Sequence, residues 1–140
     1  MTSPVRVVTK ELTITSKRRR EVINITSHIE SAVRESGIRN GIALVFLPHA
    51  TAGLFANEDE PRIRRDYEGL FERLVPASGN YEHNKIDNNA DAHLLASLFK
   101  QFYVLPVING ELVRGTWQEV FLADFDGPRT RNVVVVILGE

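Results

Sequence analysis

Three of the four histidines lie where an imidazole ring can do chemistry rather than only face the solvent. His49 follows an apolar segment, His83 lies in a polar loop, and His93 begins the helical pattern after that loop, whereas His28 falls on the polar side of an earlier predicted helix. Histidine titrates near neutral pH and serves as general acid, general base or metal ligand. One loop histidine is often an ordinary surface residue, but three at the ends of predicted elements indicate a functional site.

The segment YEHNKIDNNADAHLLASLF carries two of these histidines. Asp91 or Asn89 is predicted to cap the helix that begins there, and His93 falls in its first turn. The partial positive charge at a helix N-terminus disfavours an imidazolium ion, so His93 is expected to be neutral near pH 7 and to offer a lone pair. If His49 and His83 converge on it, the three nitrogens resemble a catalytic three-histidine metal site, although their spacing matches no zinc signature. Without a metal, the same rings would act as general acid and base.

The acidic run Asn57-Glu58-Asp59-Glu60 divides into two parts. Asp59 and Glu60 are typical of the residues that lead into a helix, here one that Pro61 begins. Glu58 lies at the end of a predicted strand, where a carboxylate can act as a metal ligand, as a base or as the partner that orients a histidine.

Cationic and aromatic candidates lie near the C-terminus. Arg129 follows the turn Asp-Gly-Pro as a fork of donors that suits a phosphate or a carboxylate. Arg114 and Lys85 are weaker candidates for the same task. Trp117 lies in a predicted strand, where burial in the core is the commoner outcome for a tryptophan, and Gln118 would then point to the opposite face.

Composition excludes several classes of function. The chain has no cysteine, so thiolate nucleophiles and iron–sulfur clusters are ruled out, and a metal must be held by His, Asp, Glu, Asn or backbone oxygen. With 17 basic and 18 acidic residues the net charge is −1, so no general attraction to nucleic acid is expected. The basic run at 17–20 is interpreted as a solvated tip between two strands, with a phosphate or RNA patch as the alternative. No segment is long and apolar enough to span a bilayer and no signal peptide is evident, so a cytoplasmic protein that does not contact membranes is expected.

Alternating and helical patterns predict the order of the elements. Strand-forming residues at 5–14 and 20–25 predict a hairpin. A helix follows, with Thr26 or Ser27 as its cap, Glu30 in the capping-box position and Gly37 at its end. The later elements are a strand over 41–48 that is covered on both faces, a short strand at LFAN, a helix between Pro61 and Pro76, a helix at ADAHLLASLFK, strands over 102–107 and 112–124, and a last strand, RNVVVVIL, covered on both sides.

This order contains several hairpins and no regular alternation of strand and helix. It therefore predicts an α+β protein on a largely antiparallel sheet system. A length of 140 residues with 43% apolar composition predicts a single domain over 1–140.

Five motifs resemble those of the YjbQ family, whose members are sometimes called secondary thiamine-phosphate synthases. They are HATAG, the Asn-Glu pair, DNNADAH, GTWQ and GPR, and the likeness covers nearly all of the chain from residue 5 onward. The resemblance implies a two-sheet β-sandwich of about seven strands with flanking helices. It also implies a homotrimer with clefts near the subunit boundaries.

Carried onto this sequence, the family motifs imply one polar site. Its residues are His49, Thr51, Asn57, Glu58, His83, Asp87, Asn88, His93, Trp117, Gln118 and Arg129. His49, His83 and His93 are expected to surround a divalent metal, zinc or magnesium. Glu58 or Asp87 is expected to act as base or to orient a histidine, and both join His49 and Arg129 in the catalytic set. The remaining five are expected to bind the substrate.

The implied activity joins hydroxymethylpyrimidine pyrophosphate to a thiazole phosphate and releases pyrophosphate. Such a reaction needs positive charge at the leaving group and cover from water. Arg129, Lys85 and the metal are candidates for the charge, and Trp117 is a candidate for a stacking wall. Two alternatives use the same residues: a metal-assisted hydrolase in which bound water is the nucleophile, and a non-catalytic trimer that binds a small metabolite.

Overall fold

The structure, a computed structural model, describes residues 4–140. In that range the strands are β1 (Arg6–Thr15), β2 (Glu21–Asn24), β3 (Gly41–Phe46), β4 (Ala52–Asn57), β5 (Phe102–Ile108), β6 (Glu111–Leu112), β7 (Glu119–Asp124) and β8 (Thr130–Gly139). The helices are α1 (Thr26–Ser36), α2 (Pro61–Leu74) and α3 (Ala90–Leu98), and a short 3-10 helix covers Glu82–Lys85. None of the helices described over 4–140 is both long and apolar enough to cross a membrane.

The strands form two antiparallel sheets. One has five strands in the order β1-β8-β3-β5-β6, and the other has three in the order β2-β7-β4. The predicted α+β fold with two antiparallel sheets and flanking helices is therefore confirmed.

Strand β7 separates two apolar clusters. Leu122 faces a core between the two sheets that α1 closes with residues such as Ile29 and Val33. Phe121, its neighbour in sequence, faces a second cluster that α2 and α3 close, because successive side chains of a strand point to opposite faces. All four of these side chains are fully buried, and burial of each contributes about 1.5–3 kcal/mol.

The predicted ends of α1 and α2 are confirmed at three points and wrong at one. Pro61 begins α2, the side chain of Glu60 accepts hydrogen bonds from the first free N–H groups, and Gly37 ends α1 in the left-handed conformation with φ 72°. The predicted capping box of α1 is not formed. Asn24 Oδ1 instead accepts from the N–H of Thr26 at 3.0 Å.

The predicted hairpin between the first two strands is wrong. β1 pairs with β8 and β2 pairs with β7, so 16–20 carries the chain from one sheet to the other. The basic run in this connection is solvated only at Lys17 and Arg18. Arg19 and Arg20 both donate to the carboxylate of Asp91, at 2.7 and 3.0 Å, and that side chain is buried. The run therefore attaches the start of α3 to the connection between the sheets.

The predicted strand over 112–124 is divided by a loop. Residues 113–118 leave the five-stranded sheet after β6 and enter the three-stranded sheet at β7. The N–H of Gly115 donates to Gln118 Oε1 at 2.8 Å, and the N–H of Gln118 donates to the carbonyl of Gly115 at 3.1 Å. These bonds close a turn that a strand pattern does not reveal. As a result Trp117 is 71% exposed and does not lie in the core.

One face of the five-stranded sheet is apolar but exposed, and we call it the outer face. Its central residues alternate along three adjacent strands: Ile42, Leu44 and Phe46 of β3, Phe102, Val104, Pro106 and Ile108 of β5, and Val134, Val136 and Leu138 of β8, with Val7 of β1 beside Leu138. Seven of the fifteen large apolar residues exposed in the described range lie here, each 39–63% exposed. The prediction that β3 and β8 are covered on both faces is therefore wrong for a single chain, which buries only one side of each.

Candidate functional site

His83 and His93 form a pair in a surface cavity, which we call the histidine pocket. Their rings meet edge to face with centroids 5.0 Å apart. The cavity holds about 370 Å³ and is lined by Tyr81, Glu82, His83, Ala90, His93 and Leu94. Loop and helix position the two rings: His83 lies in the 3-10 helix and His93 in the first turn of α3. The volume falls in the range of small-molecule sites.

The proton on His83 can be assigned from its neighbours. Asn89 Nδ2 donates to the Asp126 carboxylate at 3.0 Å, because a carboxylate accepts and an amide nitrogen donates. Asn89 Oδ1 therefore faces His83 Nε2, at 3.1 Å, and that ring nitrogen must carry the hydrogen. In this tautomer Nδ1 of His83 has the lone pair and can accept a proton or bind a cation.

The same hydrogen bonds extend to Arg129. Its Nη2 lies 3.1 Å from the Asp126 carboxylate, and its Nε donates to the Asp126 carbonyl at 3.0 Å. Arg129 nevertheless remains half exposed, so its remaining donors reach solvent. A continuous chain of polar groups thus links the predicted phosphate-binding arginine to His83 through Asn89 and Asp126.

A buried ion pair holds the turn that carries Asp126 and Arg129. Arg131 donates to Asp124 through Nη2 at 2.7 Å and through Nε at 3.1 Å, and both side chains are buried. Asp124 also accepts from Ser16 Oγ at 2.7 Å and from the N–H of Asp126 at 3.0 Å. Burial raises the pKa of Asp124, but the hydrogen bonds from Arg131 and Ser16 outweigh it and hold that pKa below its ordinary value.

Thr51 belongs to this buried support. Its Oγ1 accepts from Arg131 Nη2 at 2.9 Å, so it orients the arginine instead of facing the histidine pocket. Ala52 and Gly53 follow it in β4 and are also buried, and a side chain at Gly53 would clash with Phe99. The prediction that Thr51 binds substrate has no direct support from these contacts.

His49 has its own hydrogen-bonding partner away from the histidine pair. Its Nε2 lies 3.0 Å from the backbone N and 3.2 Å from the backbone O of Asn132, at the point where β8 extends beyond its pairing with β3. Burial, followed by the nearby charge of Arg131, holds the pKa of His49 below its ordinary value. The His49 ring is therefore neutral at pH 7, and its Nε2 can accept a hydrogen bond from the backbone N–H of Asn132 at the edge of β8.

The expected three-histidine metal site is not assembled within one chain. Over residues 4–140 no three or more His, Cys, Asp and Glu side chains are grouped so that they can hold a metal ion. His83 and His93 supply two adjacent imidazoles, whereas a catalytic zinc site uses three protein ligands. A single chain thus supplies two of the three protein ligands that a catalytic zinc site uses.

Four of the predicted site residues lie at the other end of β7. Asn57 pairs with Glu119 at the start of this strand, whereas Asp124, near Thr51, is at its end. Glu58 follows Asn57, and Trp117 and Gln118 precede Glu119, all of them exposed. Since β7 has six residues, the two groups are roughly 17 Å apart. One chain therefore does not bring the whole predicted set together.

Asp87 and Asn88 form the loop between the two histidines. Asp87 Oδ1 accepts from the N–H of Asn88 at 2.8 Å, and the carbonyl of Asn88 accepts from Arg19 at 3.2 Å. Both side chains are exposed beside the pocket. They shape the loop in this structure, and a catalytic or binding role for them stays a prediction.

Several residues of the site were not predicted as such. Asn89 was expected to cap α3 and Asp91 was its alternative, but the Asn89 side chain turns to His83 and the Asp91 side chain turns to Arg19 and Arg20. The pair Asp124 and Arg131 was also missed. The sequence signal that could have identified this pair is a charged residue at an inward-facing position in each of two strands joined by a turn. A buried charge requires a buried partner of opposite charge.

Comparison with known proteins gives consistent matches along the chain. The model of the family described as UPF0047 protein YjbQ-like matches residues 10–140. A UPF0047 protein of Methanothermobacter thermautotrophicus is 47% identical over 134 residues, which are 96% of this chain and 94% of that protein. The UPF0047 protein YugU of Bacillus subtilis is 35% identical, with 93% and 98% of the two chains covered. A crystal structure of a YbjQ-like protein from Sulfolobus solfataricus superimposes with a TM-score of 0.95 at 41% sequence identity. The superposition covers 98% of this chain and 100% of that one.

Proposed function

Because the chain belongs to the UPF0047 family of YjbQ-like proteins, we propose that it is an enzyme that transforms a small molecule in the histidine pocket. The observation that carries this proposal is the pair of imidazoles, one of which is fixed in a single tautomer by Asn89 and Asp126. A histidine ring that only decorates a surface does not need such an arrangement. General acid–base catalysis does, because the accepting nitrogen must face the substrate.

The reaction we propose is the one that the family resemblance implies. The thiazole nitrogen attacks the methylene carbon of the pyrimidine pyrophosphate, the carbon–oxygen bond breaks, and pyrophosphate leaves. A ring N–H of His93 would donate a hydrogen bond to the departing phosphoryl oxygens, as would Nδ1 of His83 when it carries a proton, and Arg129 would add a fixed positive charge at the end of the polar chain. Support for this assignment comes from the half-exposed guanidinium, whose remaining donors are directed to solvent.

The test is release of pyrophosphate when the two substrates are supplied together. We expect activity that falls by about 10²–10⁴-fold in His93→Ala. His28→Ala is the matched control, since His28 is exposed on α1 outside the pocket. No release above the His93→Ala background would contradict the synthase. Turnover of the pyrophosphate alone would instead assign a hydrolase, and saturable binding without product would assign a binding protein.

A divalent metal, zinc or magnesium, remains part of the proposal. When bound, it would neutralise charge on a phosphorylated substrate. Among this chain's residues His83 and His93 would hold it, with the lone pair of His83 Nδ1 already directed by Asn89. Metal analysis of the purified protein, compared with His93→Ala and His28→Ala, tests this. Equal metal content in all three proteins would remove His93 as a ligand.

We also propose that the chain assembles as a homotrimer through the outer face. Monomers rarely expose contiguous apolar patches above a few hundred Å², and this one covers three adjacent strands with no charged side chain on that face, since Arg131 of β8 is buried on the other side. The rim is polar, since β1 adds Thr9, Glu11 and Thr13 beside β8. That arrangement of apolar centre and polar rim is typical of a subunit interface.

Sedimentation measures the assembly directly. We expect a trimer for the unaltered chain and dissociation for Val104→Lys, because a lysine at the centre of the face would be buried without a partner. Leu70→Lys, at an exposed position of α2, is the matched control and should leave the mass unchanged. A monomer at all concentrations would contradict the proposal.

A further inference from the structure

The start of α3 positions the histidine pair but has no cap of its own. Asn89 occupies the N-cap position, and its side chain makes no capping hydrogen bond because it faces His83 instead. The N–H of Ala90, the first residue of the helix, donates to Asn84 Oδ1 at 3.1 Å, and Asn84 follows His83 in the 3-10 helix. A helix end without its own cap needs other groups to satisfy and hold it. The geometry of the two rings therefore depends on contacts from outside α3.

The side chain of Arg19 contacts this helix start at two points. Its Nη2 donates to the carbonyl of Asn88 at 3.2 Å and to Oδ1 of Asp91 at 2.7 Å. The Asp91 side chain is only 1% exposed, so the second contact lies in the interior. A charge-assisted hydrogen bond from a planar guanidinium fixes direction as well as distance. Asn89, which directs the ring of His83, thus lies between two points that Arg19 holds.

The backbone of Arg19 holds the other partner of Asn89. The Arg19 carbonyl accepts from the N–H of Gly127 at 2.8 Å, and Gly127 follows Asp126, whose carboxylate receives the Asn89 amide. The two segments pack so closely that a side chain at Gly127 would overlap the carbonyl oxygen of Arg18. One residue therefore contacts both the loop that carries Asn89 and the turn that carries its carboxylate partner.

We propose that Arg19 is a positioning residue of the histidine pocket. It lines no part of that cavity, and it acts by holding Asn89 in the orientation that keeps the hydrogen of the His83 ring on Nε2 and leaves Nδ1 with the lone pair. This inference rests on the function proposed above, because a fixed tautomer matters for proton transfer or for binding a cation. The basic run thereby gains a role at the site without binding a phosphate itself.

Arg20 separates this role from general support of the fold. It donates to Oδ2 of the same Asp91 carboxylate at 3.0 Å, but its other bonds go to Glu72 and to the carbonyl of Val75. Neither of these two partners lies in the loop before α3. Glutamine at either position removes one of two guanidinium groups from one buried carboxylate, so both variants should lose stability. Only Arg19→Gln should disturb the histidine pair.

Nitrogen-15 NMR of the imidazole rings measures the tautomer without a substrate. At about pH 8 we expect His83 of the unaltered protein to carry its hydrogen on Nε2 alone, and Arg19→Gln to show a mixture of both tautomers. Arg20→Gln should keep the single tautomer even where it loses as much stability in urea. Arg19→Lys, which keeps the charge but lacks the planar fork, should also show the mixture and serves if Arg19→Gln does not fold. A single tautomer in the Arg19 variants, or the same mixture in Arg20→Gln or in the unaltered protein, would overturn the proposal.

Activity provides a separate readout. Arg19→Gln should lower kcat for pyrophosphate release at least about tenfold with little change in KM, because a ring is misplaced while the groups that bind substrate remain. Arg20→Gln should change neither constant, and an equal loss of kcat in both variants would count against a specific role for Arg19. The NMR experiment uses no substrate. Absence of synthase activity would therefore leave the tautomer result standing, and a failed tautomer prediction would leave the synthase assay standing.

Discussion

The substitution Asp124→Asn tests whether the buried ion pair holds the site together. It removes one charge while it keeps the size of the side chain. In the native protein the carboxylate is fully buried and receives two hydrogen bonds from Arg131, whose side chain is only 4% exposed. An asparagine can accept at one oxygen only, so its amide nitrogen would face a donor of Arg131 or Ser16.

The expected loss of stability follows from this geometry. Removal of one partner from a buried pair costs about 3–5 kcal/mol, because the other charge is left in the interior. We expect the lower end, about 3 kcal/mol, since the remaining amide oxygen keeps one hydrogen bond. With a urea dependence of about 2 kcal/mol per molar, the unfolding midpoint should fall by about 1.5 M.

Urea unfolding at pH 7 measures the loss, and Asp59→Asn is the matched control. Asp59 lies 3.4 Å from Arg64, with the two side chains 30% and 33% exposed, so its loss should cost under about 1 kcal/mol. The pH dependence adds a second check. The pKa of Asp124 is lowered on folding, so its contribution is complete above the unfolded value of about 3.9 and disappears as the pH falls through the folded value. A deficit below 1 kcal/mol at pH 7, or one that persists unchanged in acid, would refute the reasoning.

Three further changes probe the site. His49→Gln should flatten the pH dependence of stability below about pH 6.5, because the lowered pKa of His49 makes the folded protein bind fewer protons there than the unfolded chain; urea midpoints at two pH values measure this. Asn89→Ala should cost about 1–3 kcal/mol, since it removes two hydrogen bonds of about 0.5–1.5 kcal/mol each. It should lower pyrophosphate release as much as His83→Ala does, whereas His83→Ala should cost less stability; calorimetry and the assay separate the two effects. Arg129→Ala should raise KM for phosphorylated substrates by about 10-fold, equivalent to about 1.4 kcal/mol, with little change in melting temperature, because its ion pair is half exposed. An unchanged KM would remove Arg129 from substrate binding.

The features that sequence predicted correctly depend on local chemistry. Pro61 begins a helix because its missing N–H is not needed there, and Gly37 ends one because it adopts a positive φ without strain. Runs of strand-forming residues likewise located β3 at Gly41–Phe46 and β8 at Thr130–Gly139. Each of these signals is contained within a few neighbouring residues.

The features that sequence missed depend on partners far along the chain. Asn89 lies at the N-cap position of α3, but its side chain does not cap the helix. Its amide nitrogen donates to Asp126, 37 residues away, and its amide oxygen therefore faces His83. Asp91 would support the same helix through its dipole, but two arginines more than 70 residues earlier bind its carboxylate instead. Short-range propensity gives each residue one default role. The role that each residue has in the structure depends on charged partners that are distant in sequence and become neighbours only when the chain folds.

The error about β3 and β8 is informative in a different way. A strand with apolar residues on both sides is normally covered on both sides, and four consecutive valines in β8 gave that signal. The chain covers Val133 and Val135 with its own core and leaves Val134 and Val136 on the outer face. The pattern thus specifies more burial than one copy provides, and this difference is what motivates the homotrimer that we propose. If copies of the chain cover one another there, as we propose, the two-sided apolar pattern of β8 is explained by that contact.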